Sequence, residues 1–138
     1  MLNLSSTYGK KVVKRLKEEL VAWLTTVRPD GTPDPNPVWF LWDGETFLIY
    51  SQPTAYKFHN LASNPHVSIN LNSDAYGGEV AVFTGVATLD PDAPPADQNP
   101  EYLEKYRTAI ADINMTPESF AESYSRAIRV RPERIRGF

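Results

Sequence analysis

The chain has 138 residues, 41% of them hydrophobic and 22% charged, with a formal net charge of -3. That is enough for one domain with a real core, and the mild acidity gives no general reason to expect a nucleic-acid partner. Cysteine is absent, which excludes disulfides, thiol catalysis and Cys-based zinc sites; no apolar run approaches the roughly 18 residues of a membrane span, and Met1–Ser6 carries no signal-peptide core, so the expectation is a cytoplasmic protein without a membrane partner.

Residues Tyr8–Leu20 read as a helix, because Val12, Leu16 and Leu20 recur at spacing four and basic residues fill the other faces. Val21–Val27 is apolar and β-branched, hence a strand. Pro29-Asp30-Gly31-Thr32 is a turn in which proline presets one φ and glycine takes the positive one. Pro33, Pro35 and Pro37 come at every second position, which places this segment at a sheet edge or as an extended entry to the next strand. Val38–Trp42 and Thr46–Ser51 then form a hairpin across Asp43-Gly44. Thr54–Ala62 is a short helix that Thr54 can cap, ended by Asn64-Pro65.

His66–Asn72 alternates, with Val67, Ile69 and Leu71 inward. After a loop at Ser73–Gly78, Glu79–Leu89 is a long strand in which Gly85 marks a bulge or a close approach. Asp90–Asn99 is a loop. Pro100–Ile113 is the strongest helix, with Pro100 at its start. Thr116 caps a further helix that reaches Tyr124. Arg126–Arg131 alternates Ile128 and Val130 with arginines and closes the chain as a strand, continued by Pro132–Phe138 after a break. Short turns join most strands, so the pairing is mainly antiparallel, and six or so strands suggest a small barrel with helices at its side.

Charge is uneven along this order. Lys10, Lys11, Lys14, Arg15 and Lys17 cluster near the start, and Arg126, Arg129, Arg131, Arg134 and Arg136 near the end. They are either solvated faces of a helix and an outer strand, or one segment that turns its cations toward an anionic ligand. From Asp43 to Glu101 there are eight acidic residues and a single cation, Lys57. A lone cation just past a Ser/Thr-bearing helix start suits an anion such as a phosphate.

Self-sufficient catalytic chemistry is scarce. The two histidines, His59 and His66, fall in no HxxxH or HExxH pattern, so no metal site is expected. There is no GxSxG elbow, no phosphate-binding GxxxxGK[ST] loop and no GxGxxG. No carboxylate pair is placed for acid–base work, and no catalytic residue is assigned. What remains is a binding site. Val38, Trp39, Phe40, Trp42 and Tyr50 offer aromatic and apolar walls, Ser51 and Thr54 offer hydroxyls, and Lys57 offers charge. Planar ligands with a phosphate tail need that combination; core packing is the competing role for the aromatics.

Several segments carry a resemblance. They are Leu24–Pro33 (Leu-Thr-Thr-Val, then Pro-Asp-Gly-Thr-Pro), Pro37-Val38-Trp39-Phe40, Tyr50-Ser51, Lys57-Phe58-His59-Asn60-Leu61, Asn64-Pro65-His66-Val67, Gly85-Val86-Ala87 and Pro132–Phe138. Together the chain resembles the split β-barrel oxidoreductases of the pyridoxamine 5'-phosphate oxidase superfamily, and within it the small members that use the deazaflavin coenzyme F(420). The resemblance implies an α+β, mainly β fold: one domain over residues 1–138, a six-stranded antiparallel split β-barrel with flanking helices. It implies a homodimer with a cofactor groove between subunits. It implies that Lys57 contacts the cofactor phosphate, helped by Ser51 and the turn after it, with Gln52, Tyr56 and Asn60 nearby. It implies that the backbone of Pro37, Val38 and Trp39 lies along the ring system, beside Tyr50.

Relatives often carry an arginine two positions before this lysine, where this chain has Ala55; an arginine of the C-terminal strand is a candidate to take its place. The implied activity is hydride transfer from reduced F(420) to an unsaturated or electron-poor organic acceptor, with solvent, Tyr56 or Tyr76 as proton donor. Two alternatives stand beside it: an FMN-binding flavoprotein of the same fold, and a non-catalytic F(420) carrier.

Overall fold

A computed structural model describes residues 2–138. Helix α1 spans Thr7–Glu18, with Ser6 accepting from the Gly9 N–H as its cap. It buries Val12 and Leu16 and ends before Leu20, which is exposed. The strands are β1 Ala22–Val27, β2 Pro33–Val38, β3 Leu41–Trp42, β4 Phe47–Ser51, β5 His66–Leu71, β6 Ala81–Leu89 and β7 Arg126–Gly137. Helix α2 covers Lys57–Ser63, α3 Pro100–Asp112 and α4 Pro117–Ser123. The strands form one curled antiparallel sheet in the order β2-β1-β5-β6-β7-β4-β3. The split-barrel expectation holds, with seven strands rather than six, because β2 and β3 are separate.

They are separate because Trp39 and Phe40 leave the sheet. The expected hairpin arm Val38–Trp42 shrinks to Leu41–Trp42 against Phe47 and Leu48. Phe40 turns into the barrel core, while Trp39 packs with the helices. Strand β4 lies between two apolar layers and all five of its residues are buried. Phe47 and Ile49 face the core inside the curl; Leu48 and Tyr50 face α3 and α4. That division explains a run with no solvent-facing position.

The proline segment is the sheet's edge, as its sequence suggests. The Arg28 N–H donates to the Thr32 carbonyl, so in the register that follows, Val27↔Pro33, Thr25↔Pro35 and Trp23↔Pro37 are the non-hydrogen-bonded pairs. Every proline therefore turns its nitrogen away from β1, where no N–H is needed. Strand β7, by contrast, is not an outer strand. It runs unbroken from Arg126 to Gly137 between β6 and β4. The expected break at Pro132 is a bulge: Thr84 pairs with Arg134 and Gly85 with Pro132, leaving Glu133 as the extra residue.

Helix α3 clamps the Trp39-Phe40 link. The Tyr106 hydroxyl accepts from the Phe40 N–H at 2.8 Å and reaches the Leu20 and Phe40 carbonyls at 2.8 and 2.9 Å. Tyr106→Phe would leave a buried N–H without a partner, so we expect it to lower stability by about 1–3 kcal/mol, read from the urea midpoint. Beside it the Lys105 ammonium donates to the Leu16 and Phe40 carbonyls, each at 3.0 Å. Burial pulls this lysine down to about 8, partly offset by Glu19. Its unfolded value is about 10.4. Above pH 8 the native state therefore binds fewer protons than the unfolded chain, and Lys105 makes stability rise with pH there. Melting curves from about pH 7 to pH 9.5 should show this rise in the native chain and lack it in Lys105→Met.

Candidate functional site

A cavity of about 500 Å³ opens where the end of β2, the end of β4, α2 and α4 meet. Seven of the residues singled out from sequence line it: Pro37, Val38, Trp39, Tyr50, Ser51, Gln52 and Lys57. Five more walls come from Val21, Ala55, Ile113, Phe120 and Tyr124. The volume falls within the range of small-molecule pockets.

Lys57 is the only charged residue in this lining. Its ammonium reaches the Ser51 hydroxyl at 3.3 Å. No ion pair among the described residues includes it. Burial holds its pKa below the ordinary lysine value, and the more distant Asp34 carboxylate partly offsets this. Its placement differs from expectation in one respect. Thr54 does not cap the helix: the Ala55 N–H closes a turn onto the Gln52 carbonyl, and α2 begins at Lys57 behind Tyr56, without a side-chain cap. Lysine and hydroxyl, rather than a helix terminus, are what an anion meets here.

Tyr56 and Asn60 do not line the cavity. Tyr56 is 56% exposed, with its ring against His59 and beneath the Arg28 guanidinium. Asn60 is fully buried, and its amide donates to Thr26 Oγ1 at 2.9 Å and Asp34 Oδ2 at 3.1 Å. It ties α2 to β1 and β2. Tyr76 is 99% exposed, far from sheltered proton transfer, at the tip of a turn organised by Asp74.

Tyr50 contributes only its ring, since its hydroxyl donates to the Pro94 carbonyl at 2.7 Å and accepts from Asn99 at 3.1 Å. The Trp39 indole is already stacked on Tyr106 and on Phe120. The wall it provides is therefore rigid.

The basic clusters divide. Arg15 is held by Glu19 and by the Asn72 and Glu79 carbonyls. Arg129 binds Asp90 and Asp43 and has a structural role. Arg126 is the C-terminal arginine nearest the site: it is the register partner of Ser51, and its guanidinium lies 4.2 Å from the Phe58 ring centre. Among the described residues no group of three or more His, Asp or Glu could hold a metal ion, and no helix is long and apolar enough to cross a membrane.

Fold and cavity together define a split β-barrel protein whose cavity combines aromatic walls with a single lysine. The family model for pyridoxamine 5'-phosphate oxidase matches residues 8–138, and the chain belongs to that family. Among solved structures it is similar to a putative pyridoxamine 5'-phosphate oxidase from Listeria innocua, at 26% identity over 92% of this chain and 94% of the other, with a TM-score of 0.66. It is also similar to an F(420) reductase, at 27% identity over 89% and 94%, with a TM-score of 0.65. The heme storage protein HutZ of Vibrio cholerae shares the fold at 17% identity over 99% and 95%, with a TM-score of 0.65. No curated protein matches the chain.

Proposed function

We propose that this protein is an oxidoreductase that binds coenzyme F(420) in the Lys57 cavity, acts on an unsaturated or electron-poor organic acceptor, and works as a homodimer. The observation that carries this reading is the cation itself. Lys57 is half-buried, has a hydroxyl neighbour and no ion-pair partner among the described residues. A desolvated cation without a counter-ion is costly unless a ligand supplies the charge, and a phosphate does so with charge-assisted hydrogen bonds.

The surrounding residues fit the rest of such a cofactor. Ser51 adds a hydroxyl to the phosphate end. Arg126, paired with Ser51 across the strands, takes the role of the arginine that Ala55 lacks. Pro37 presents a carbonyl and no N–H on the open side of β2, which suits ring N–H groups. Bound in reduced form, the cofactor supplies a hydride and a proton, and the acceptor gains both across a double bond. The chain then has only to position the two molecules and exclude water. That agrees with a cavity whose lining holds no histidine or carboxylate.

FMN carries the same phosphate, so the deciding experiment is a titration with both cofactors, read by absorbance and fluorescence. Saturable binding of F(420), followed by oxidation of its reduced form when an enone or quinone is added, is the expected result. A protein that purifies yellow with FMN, or that ignores F(420), sinks the proposal. Binding without turnover of any acceptor marks a carrier instead.

A further inference from the structure

Four side chains form a row of nearly parallel rings. Tyr106 and Trp39 lie 4.8 Å apart at 7°, Trp39 and Phe120 5.5 Å at 14°, and Phe120 and Tyr124 4.5 Å at 17°. The row starts fully buried at Tyr106 and ends half-exposed at Tyr124, in the cavity wall. None of the motifs read from the sequence included Phe120 or Tyr124.

A second wall of the cavity, made by Val21, Ile113, Phe120 and Tyr124 from outside β2, β4 and α2, brings no charge to the lining. It is also stiff. Asn114 takes φ 60°, and the Met115 N–H returns to the Ile110 carbonyl, which closes α3. A reciprocal capping box between Thr116 and Ser119 fixes the start of α4. Ile113 is thus held on a short, capped connection, Tyr124 closes α4 with its N–H on the Phe120 carbonyl, and an apolar wall ordered in advance spends little entropy on binding.

We propose that Tyr124 is the stacking residue of the acceptor subsite, which takes a flat, uncharged, unsaturated ring such as a quinone. The ring adds one more layer to the aromatic row, with Ile113 and Val21 at its rim. This rests on the cofactor reading above, in which the phosphate occupies the Lys57 end.

The test uses menadione as the probe and isothermal titration as the readout, on the protein saturated with oxidised F(420) so that nothing turns over. The wild-type chain and Tyr124→Phe should bind menadione within about twofold of one another, while Tyr124→Ala binds it about 3- to 10-fold more weakly. Ile113→Trp, at a 45% exposed position, should block the slot and abolish menadione binding. In Tyr124→Ala and Ile113→Trp, affinity for F(420) falls by a smaller factor than affinity for menadione. The proposal is overturned if Tyr124→Ala binds menadione normally, if Tyr124→Phe loses as much as alanine, or if F(420) affinity falls by the same factor as menadione affinity. A chain that binds menadione at Tyr124 but not F(420) refutes the cofactor reading and leaves this subsite standing.

Discussion

Lys57→Ala is expected to weaken F(420) binding by about 1.5–3 kcal/mol, or ~10- to 150-fold. Removing the cation leaves the phosphate with Ser51 alone, and a neutral hydroxyl does not replace a charge-assisted bond. Folding stability should not fall in parallel, because the variant also removes a buried cation that has no ion-pair partner. Loss of binding without loss of melting temperature is the signature of a ligand-holding lysine. The pH dependence has a definite sign. Burial lowers the lysine's pKa, so the free protein gives up this charge at lower pH than an ordinary lysine. Cofactor affinity therefore declines as pH rises through that depressed value, and Lys57→Ala should lack this decline. Equal affinity of the variant and the native chain at neutral pH would remove Lys57 from the site.

Gly85→Ala should be strongly damaging to the fold, costing about 3 kcal/mol or more. A Cβ on Gly85 would lie 2.2 Å from the Arg131 carbonyl oxygen and 2.7 Å from the Pro132 Cα. Both are backbone atoms of β7, so no side chain can swing aside. The substitution forces the bulge open between the two longest strands, and the ladder that carries Arg126 to its place beside Ser51 runs through the same pairing. The loss corresponds to a drop of roughly 10 °C in melting temperature for a domain of this size. Gly44→Ala is the control. It has a positive φ of 101° but nothing within 4 Å of the added carbon, so only about 1 kcal/mol of backbone strain is expected. Equal melting temperatures for the two variants would refute the role given to the bulge.

Some of this molecule is legible in its sequence, and for physical reasons. The alternation of His66–Leu71 reports one buried face. The prolines at 33, 35 and 37 report an edge, because no interior strand tolerates three missing donors. Gly85 reports the bulge. Lys57, Ser51, Pro37 and Val38 lie together because they sit at the ends of neighbouring elements joined by short turns.

What could not be read depends on distant partners. Phe120 and Tyr124 look like the core stripe of a short helix, and nothing local says that Tyr124 lies at the edge of a cavity floored by Pro37. The sequence extends the hairpin arm over Val38–Trp42 because Trp39 and Phe40 have strong β-propensity, and the pull of Tyr106, 66 residues away, overrides it. Thr54 has the chemistry of a cap, yet Pro53 favours a tight turn ahead of the helix and moves its start to Lys57. Asn60, close to Lys57 in sequence, is buried and braces the sheet instead of lining the cavity.

The phase of the prolines bears on how copies of this chain can meet. An open sheet normally invites another strand at each border. Here one border is the two-residue strand β3, too short to template a neighbour. On the other, Pro33, Pro35 and Pro37 offer oxygen atoms and no hydrogen to share, so an incoming backbone could form only half of each rung. Growth of the sheet from molecule to molecule is thus closed off along β2. The Pro37 carbonyl, which β1 does not take up, stays an acceptor at the rim of the cavity.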